Sequence, residues 1–189
     1  MNKAVFLDRD GVINEDKGLL YKKEEISILP KVPKALNNLK EKGYLLIVIT
    51  NQPAIARGLV SEKEIEELHN FMNQKLNNLI DRFYFCPHHP EMHPDVPEHA
   101  RKYRIACNCR KPASGMLLQA AKDFDINLEQ SWMIGDKVAD IVAGKNAGCK
   151  TIRVKSPVSH QIHKSAIDFD KNTKADFSAN NLLEATEFL

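Results

Sequence analysis

The chain has 189 residues, with 27 Lys and Arg against 25 Asp and Glu and a formal net charge of +2 at pH 7. With 43% hydrophobic and 28% charged residues it has an ordinary globular composition and length enough for a sizeable core, which excludes a disordered chain, and the near-neutral balance argues against nucleic acid or an anionic membrane as partner. The longest purely apolar run, Leu45–Ile49, is far short of the ~20 residues of a membrane span, and charge after Leu7 breaks the pattern of a signal peptide, so a cytoplasmic location is expected.

Lys3–Leu7 is a short β-prone run that stops at Asp8. Pro33 opens a helix with Val32, Ala35, Leu36 and Leu39 on one face, and Gly43 is placed to end it. Tyr44–Thr50 is continuously apolar, the pattern of a strand covered on both faces. Ser61 and Glu64 form a capping-box signature, followed by an apolar stripe of Ile65, Leu68, Met72, Leu76 and Leu79. Arg82–Cys86 reads as the next strand. Pro87–Tyr103 is rich in Pro and His, lacks periodicity and is long for a connection; such loops are functional or are held by something else. Met116, Leu117, Ala120, Ala121 and Phe124 mark a further helix, and Ser131–Ile134 a strand that stops at Gly135-Asp136. A helix to about Asn146, with Gly148 behind it, precedes the strand Lys150–Val154. Lys155–Thr173 is polar and weakly patterned, and Asn181 with Glu184 predicts a last capped helix.

The alternation β-α-β-α-β-loop-α-β-α-β predicts an α/β fold, a Rossmann-like doubly wound parallel sheet with helices on both faces. One domain over residues 1–189 is expected, with 155–189 as a peripheral C-terminal segment.

In open α/β sheets ligands bind outside the carboxyl ends of the strands. Asp8, Asp10 and Gly11 follow the first strand, and Thr50, Asn51 and Gln52 the second. Arg110, Lys111 and Pro112 precede the Met116 helix, and Asp136, Lys137 and Asp140 follow the Trp132 strand. Taken singly, such residues are common as turn, cap or surface positions. Together they gather carboxylates that repel one another unless a hard cation joins them. Mg²⁺ suits such a site, because it takes oxygen ligands and keeps positions for water and phosphate. Carboxylates, neutral donors and a Lys around Mg²⁺ predict phosphoryl transfer, with an Asp available as nucleophile.

Cys86, His88, Cys107 and Cys109 form C-x-H-(18 residues)-C-x-C. Clustered Cys in a cytosolic chain point to metal rather than to disulfides, and Cys₃His is the ligand set of a closed, structural Zn²⁺ site. A redox pair at Cys107 and Cys109, or plain buried thiols, are the alternatives. His89, His93 and His99 share the loop, and Cys149 reads as core. Zinc on Cys109 would fix the segment that delivers Arg110 and Lys111.

Asp8-Arg9-Asp10-Gly11-Val12, Thr50-Asn51-Gln52, Arg110-Lys111-Pro112 and Gly135-Asp136-Lys137 with Asp140 resemble the four motifs of the haloacid dehalogenase superfamily phosphatases. From Asn2 to about Val154 the chain resembles the heptose bisphosphate phosphatases within that superfamily, which are close to histidinol-phosphate phosphatases. The resemblance implies that Asp8 is the nucleophile and a Mg²⁺ ligand. Asp10 would be the general acid and then the base, with its carbonyl on the metal. Thr50, Asn51 and Gln52 would hold substrate, Lys111 would neutralise the phosphoryl charge, and Asp136 would complete the Mg²⁺ site. Asp140 would support the metal from behind, with Lys137 there or at substrate. It also implies Zn²⁺ on the Cys-Pro-His-His-Pro and Cys-x-Cys-Arg-Lys-Pro segments, through Cys86, His88, Cys107 and Cys109. Arg110 becomes a candidate for a second phosphate or sugar oxygens, since its fork suits bidentate contacts, and Arg57 for substrate. The chain departs from the family pattern at Pro53-Ala54, where Ser-Gly is usual, and the Pro removes a backbone donor. The gaps between motifs leave no room for a large cap domain, so a small diffusible substrate is expected; the resemblance implies that it is a phosphorylated sugar of heptose biosynthesis, and a monomer is expected. Histidinol-phosphate phosphatase is the alternative within enzymes, and a non-catalytic zinc-stabilised binding protein the alternative outside them.

Overall fold

Six parallel strands form one sheet in the order β3-β2-β1-β4-β5-β6. The computed structural model describes residues 1–91, 95–156 and 170–189. The strands are β1 (Ala4–Leu7), β2 (Leu45–Asn51), β3 (Arg82–Cys86), β4 (Trp132–Gly135), β5 (Lys150–Val154) and β6 (Phe177–Ala179). The helices are α1 (Val32–Glu41), α2 (Pro53–Ala56), α3 (Glu62–Lys75), α4 (Gly115–Asp123), α5 (Val138–Ala147) and α6 (Leu182–Ala185). The expected doubly wound α/β architecture is what the chain adopts. The order reverses between β1 and β4, and a crevice at such a switch point is where ligands bind.

The apolar runs form strands because both faces of the sheet are covered. All four residues of β1 are buried. Val5 and Leu7 pack on one side with Leu36 and Leu39 of α1 and Leu182 of α6. Ala4 and Phe6 pack on the other with Leu117 and Ala120 of α4 and Ala143 of α5. Cys149 lies in that second layer, as expected of a core thiol. A smaller cluster joins Leu20, Ala54 and Ile55 to Ile65 and Leu68 of α3.

Three local features differ from the sequence pattern. The α3 stripe predicts a helix reaching Leu79, but α3 stops at Lys75 and Leu76 caps it. Asn77 and Asn78 take positive φ values of 54° and 56°, which Asn tolerates better than most residues, and Leu79 still packs on the core. Pro53 and Ala54 begin the single turn of α2, with Pro at the helix start where its missing donor is harmless. In the segment after Val154, Phe177–Ala179 pairs with β5 as an edge strand and α6 follows. Residues 157–169 and His93 lie outside the described residues.

Candidate active site and cysteine cluster

Asp8 directly follows β1, and its N–H still donates to the Ile134 carbonyl of β4 at 3.0 Å. Its buried Oδ1 accepts from the Arg9 N–H at 2.8 Å and pairs with Lys111 Nζ at 2.8 Å. Lys111 is also buried. Its ammonium meets Asp8 Oδ1, Asp140 Oδ1 at 2.7 Å and the Ile49 carbonyl at 2.7 Å, which uses all three of its donors. Burial disfavours charge on Asp8, but Lys111 and Lys137 outweigh it and hold the carboxyl below the ordinary range. Burial likewise opposes charge on Lys111, and Asp140 with Asp8 reverses the outcome and raises it.

Asp140 stands in the first turn of α5, where its Oδ2 accepts from the Lys137 N–H at 3.0 Å. It fits beneath the end of β4 only because residue 135 is Gly: a Cβ there would lie 2.2 Å from Asp140 Cβ. Burial and Asp8 push the Asp140 carboxyl upward, against Lys111.

Asp136 has the least satisfied carboxylate. Its Oδ1 is buried and accepts no hydrogen bond among the described residues, and Lys137 Nζ stands 3.6 Å away. Burial, with Asp8 and Asp140 adding to it, pushes Asp136 up to about 7. Oxygens of Asp8, Asp136 and Asp140 lie within 4.8 Å of one another. Gly11, with φ of +90°, leaves room beside them, since a Cβ there would fall 2.5 Å from Asp136 Oδ2. A buried oxygen that accepts no hydrogen bond, among mutually repelling carboxylates, fits a hard divalent cation. Lys137 bridges this group to a further acid, with Nζ 3.0 Å from Asp16 Oδ2, 3.9 Å from Asp8 Oδ2 and 3.5 Å from the Asp10 carbonyl. Burial opposes its charge, but the surrounding carboxylates, Asp8 foremost, raise it.

The Asp10 side chain turns to Arg9. Arg9 Nε and Nη2 donate to Asp10 Oδ1 at 3.1 and 3.0 Å, and Nη2 also reaches Oδ2 at 2.9 Å. Asn14 Nδ2 donates to Oδ1 at 2.9 Å. Gln52 Nε2 donates to Thr50 Oγ1 at 2.9 Å and stands 3.5 Å from Asp10 Oδ2. Asn51 does something its place in the motif does not imply. Its Oδ1 accepts from the Lys111 N–H at 3.0 Å and its Nδ2 donates to the Lys111 carbonyl at 3.1 Å, so it clamps the Lys111 peptide to the end of β2.

Cys86 at the end of β3, His88, Cys107 and Cys109 converge. The Sγ–Sγ distances are 3.6 Å for Cys86 and Cys107, 3.2 Å for Cys86 and Cys109, and 3.3 Å for Cys107 and Cys109. His88 Nδ1 lies 3.2 Å from Cys109 Sγ and 3.7 Å from Cys86 Sγ. All four cysteines of the chain are free thiols. Three sulfurs and an imidazole nitrogen in this arrangement fit a tetrahedral ion. His89 is buried outside the cluster and accepts from Arg104 Nη1 at 3.3 Å. Burial, then Arg110, lowers it to about 4. His99 is exposed.

Arg110 is buried and donates from Nη1 to the His88 carbonyl at 3.0 Å, while Arg57 is exposed at the end of α2. Asp8, Asp10, Thr50, Gln52, Lys111, Asp136, Lys137 and Asp140 therefore share one end of the sheet, and Arg57 and Arg110 stand toward the cysteine loop. Sequence reasoning assigned no role to Arg9, Asn14, Asp16 or His69. Arg9 was visible inside the first motif, and His69 as a polar gap in the apolar stripe of α3. Nothing in the pattern marks Asp16.

The HAD-hydrolase-like family matches residues 108–185, and the open parallel sheet with carboxylates and a buried Lys at its switch point fits a hydrolase of the haloacid dehalogenase class. The D-glycero-β-D-manno-heptose-1,7-bisphosphate 7-phosphatase of Haemophilus ducreyi is 38% identical over 99% of this chain and 98% of its own. That of Haemophilus influenzae is 42% identical over 84% of this chain and 86% of its own. The D,D-heptose 1,7-bisphosphate phosphatase of B. bronchiseptica, solved with magnesium and phosphate, superposes with a TM-score of 0.76 at 27% identity, over 98% of this chain and 97% of that one. The chain belongs to the D-glycero-β-D-manno-heptose-1,7-bisphosphate 7-phosphatase family of these hydrolases.

Proposed function

We propose that this phosphatase removes the 7-phosphate of D-glycero-β-D-manno-heptose 1,7-bisphosphate, a step toward activated heptose. The observation that carries the chemistry is Asp8, a buried carboxylate with one oxygen held by Lys111, close to the buried Oδ1 of Asp136, which accepts no hydrogen bond among the described residues. In the proposed reaction Asp8 attacks phosphorus, the bond from phosphorus to the sugar oxygen breaks, and Asp10 gives that oxygen its proton. Asp10 then takes a proton from the water that opens the aspartyl-phosphate, which releases phosphate and restores both acids. Lys111 holds Asp8 in place and meets the phosphoryl charge, while Thr50 and Gln52 line its path. Asp8, the Asp10 carbonyl and Asp136 would hold Mg²⁺, with Asp140 steadying Lys111 behind them. When bound, that ion supplies charge neutralisation at the phosphoryl oxygens.

Cys86, His88, Cys107 and Cys109 would hold a structural Zn²⁺, with no position left for water. Its support is the close four-atom cluster, and its effect would be to fix Arg110 and Lys111. Arg104 donates to the buried His89 and Arg110 to the neighbouring His88 carbonyl, and these guanidinium groups, with Arg57, would suit the second phosphate and sugar oxygens. Residues 1–189 would work as a single catalytic domain and as a monomer in the cytoplasm, with the 86–109 loop shaping the mouth of the site. Among the described residues no helix is long and apolar enough to cross a membrane.

The test is phosphate release with Mg²⁺ from the two anomers of the bisphosphate and from histidinol phosphate. Preferred turnover of the β anomer is expected. Faster turnover of histidinol phosphate would replace the substrate, and equally slow rates on all would remove the enzymatic reading.

A further inference from the structure

Arg9 is one of the largest fully buried side chains in the protein, and a buried guanidinium needs acceptors for its donors. Asp10 takes Nε and Nη2, and the Leu20 carbonyl accepts from Nη2 at 3.0 Å. The side-chain partner of Nη1 is His69 Nε2 on α3, at 3.3 Å. An arginine only donates, so Nε2 accepts and His69 carries its hydrogen on Nδ1. That Nδ1 is buried and has no partner among the described residues. The ring itself is well packed, stacked on Phe83 at 4.7 Å and edge-on to Phe85 at 5.7 Å. A Leu or Phe would suit this apolar face without leaving a buried donor unpaired. What His69 adds is the acceptor it offers to Arg9.

We propose that His69 and Arg9 form a buried brace that sets the carboxyl of Asp10, and so are positioning residues for proton delivery to the leaving sugar oxygen. The brace also selects an oxygen. Oδ1 of Asp10 receives Arg9 Nε, Arg9 Nη2 and Asn14 Nδ2. Oδ2 receives Arg9 Nη2 and only the 3.5 Å approach of Gln52, whose amide also reaches Thr50 on the phosphoryl side. Oδ2 is therefore the oxygen that carries the moving proton. The proton passes from Oδ2 to the sugar oxygen as Asp8 bonds to phosphorus, and returns to Oδ2 from water in the second step. The inference rests on Asp10 as the general acid.

The experiment compares kcat/KM for the sugar bisphosphate, whose alkoxide leaving group needs a proton, with kcat/KM for 4-nitrophenyl phosphate, whose leaving group does not. kcat/KM stops at formation of the aspartyl-phosphate, and the ratio of two substrates on one preparation cancels any loss of folded protein. Asp10→Asn is the reference and should lower the ratio about 100-fold or more, the scale of general acid catalysis. His69→Phe, which keeps the stack but removes the acceptor, should lower the ratio about tenfold, and His69→Gln, which restores an acceptor, should recover most of it. Arg9→Lys should lower the ratio further than His69→Phe. If Asp10→Asn moves the ratio but neither His69→Phe nor Arg9→Lys does, the brace is wrong while the general acid stands. If Asp10→Asn leaves the ratio unchanged, the general-acid reading fails and the brace falls with it.

Discussion

Replacing Asp136 by Asn should abolish turnover yet stabilise the metal-free protein. The side chain is only 7% exposed, and its Oδ1 finds no hydrogen bond among the described residues. Burial, with Asp8 and Asp140 adding to it, moves its carboxyl from the ordinary 3.8 to about 7. At about 1.4 kcal/mol per unit, that shift is worth about 4 kcal/mol. The sign follows from proton counting. Between pH 4 and 7 the unfolded chain has released this proton and the folded chain has kept it, so stability falls as pH rises through that window. Above about 7 the folded protein bears the full penalty of the buried charge, and below the unfolded value it bears none. Asn carries no charge at any of these pH values, so the gain from Asp136→Asn should be a few kcal/mol at pH 8 and about 1–2 kcal/mol at pH 5. For a domain of this length the gain at pH 8 corresponds to roughly 10 °C in Tm. The assay is thermal and urea unfolding of both proteins in magnesium-free buffer, without chelator so that the cysteine cluster is left alone. Millimolar Mg²⁺ should then raise the Tm of the natural chain and leave that of the variant unchanged, because binding to the folded state alone stabilises it. A variant no more stable than the natural chain at pH 8, or equally stabilised at pH 5 and pH 8, would refute the assignment of Asp136 as a strained metal ligand.

Asp8→Asn should abolish phosphate release with the thermal transition retained, and appreciable residual turnover would remove Asp8 as nucleophile. Protein purified without added metal should contain about one zinc per chain by elemental analysis, as a closed Cys₃His site requires; a folded, metal-free chain would sink that reading. Cys109→Ser should lose the zinc and lower kcat/KM at least about tenfold, because the serine directly precedes Arg110 and Lys111 and the loop that carries them loosens. Asn51→Ala should lower kcat by about tenfold with little change in KM, since it frees the Lys111 peptide without touching the ammonium. A rise in KM alone would instead place Asn51 at the substrate.

What the sequence revealed and what it hid follow one physical division. The strands were legible because a sheet covered on both faces demands unbroken apolar runs, and β3 and β5 begin and end where Arg82–Cys86 and Lys150–Val154 place them. β6 was not legible. Its three residues, Phe177–Ala179, carry no run of their own, and only pairing with β5 makes them a strand. The loops after the strands were legible as a gathering of unusual residues, because fold topology brings strand ends together whatever the loops contain. The partner of each side chain was not. Asn51 reads as a substrate donor by its place in a motif, and nothing in the pattern shows that its amide also clamps Lys111, sixty residues away. His69 reads as an interruption of an apolar stripe, and only the third dimension sets it under Arg9.

Asn51 also joins the cysteine loop to the Lys111 segment. In the register of β2 against β3, Asn51 pairs with Cys86. The same residue therefore neighbours the first thiol of the cluster through the sheet and holds the Lys111 peptide through its side chain. Cys109, two residues before Lys111, closes the circuit, with its Sγ 3.2 Å from that of Cys86. The Lys111 segment is thus tied to the sheet by the amide clamp at Asn51, and the proposed zinc would add a second tie through Cys86. In the proposed reaction the ammonium held between Asp8 and Asp140 would have to stay fixed while charge shifts on phosphorus, since reorganisation at that moment adds to the barrier. Two such ties to adjacent strand ends would supply that rigidity. The segment carrying Lys111 comes from a long aperiodic loop, which without such ties would be among the first parts of the fold to open.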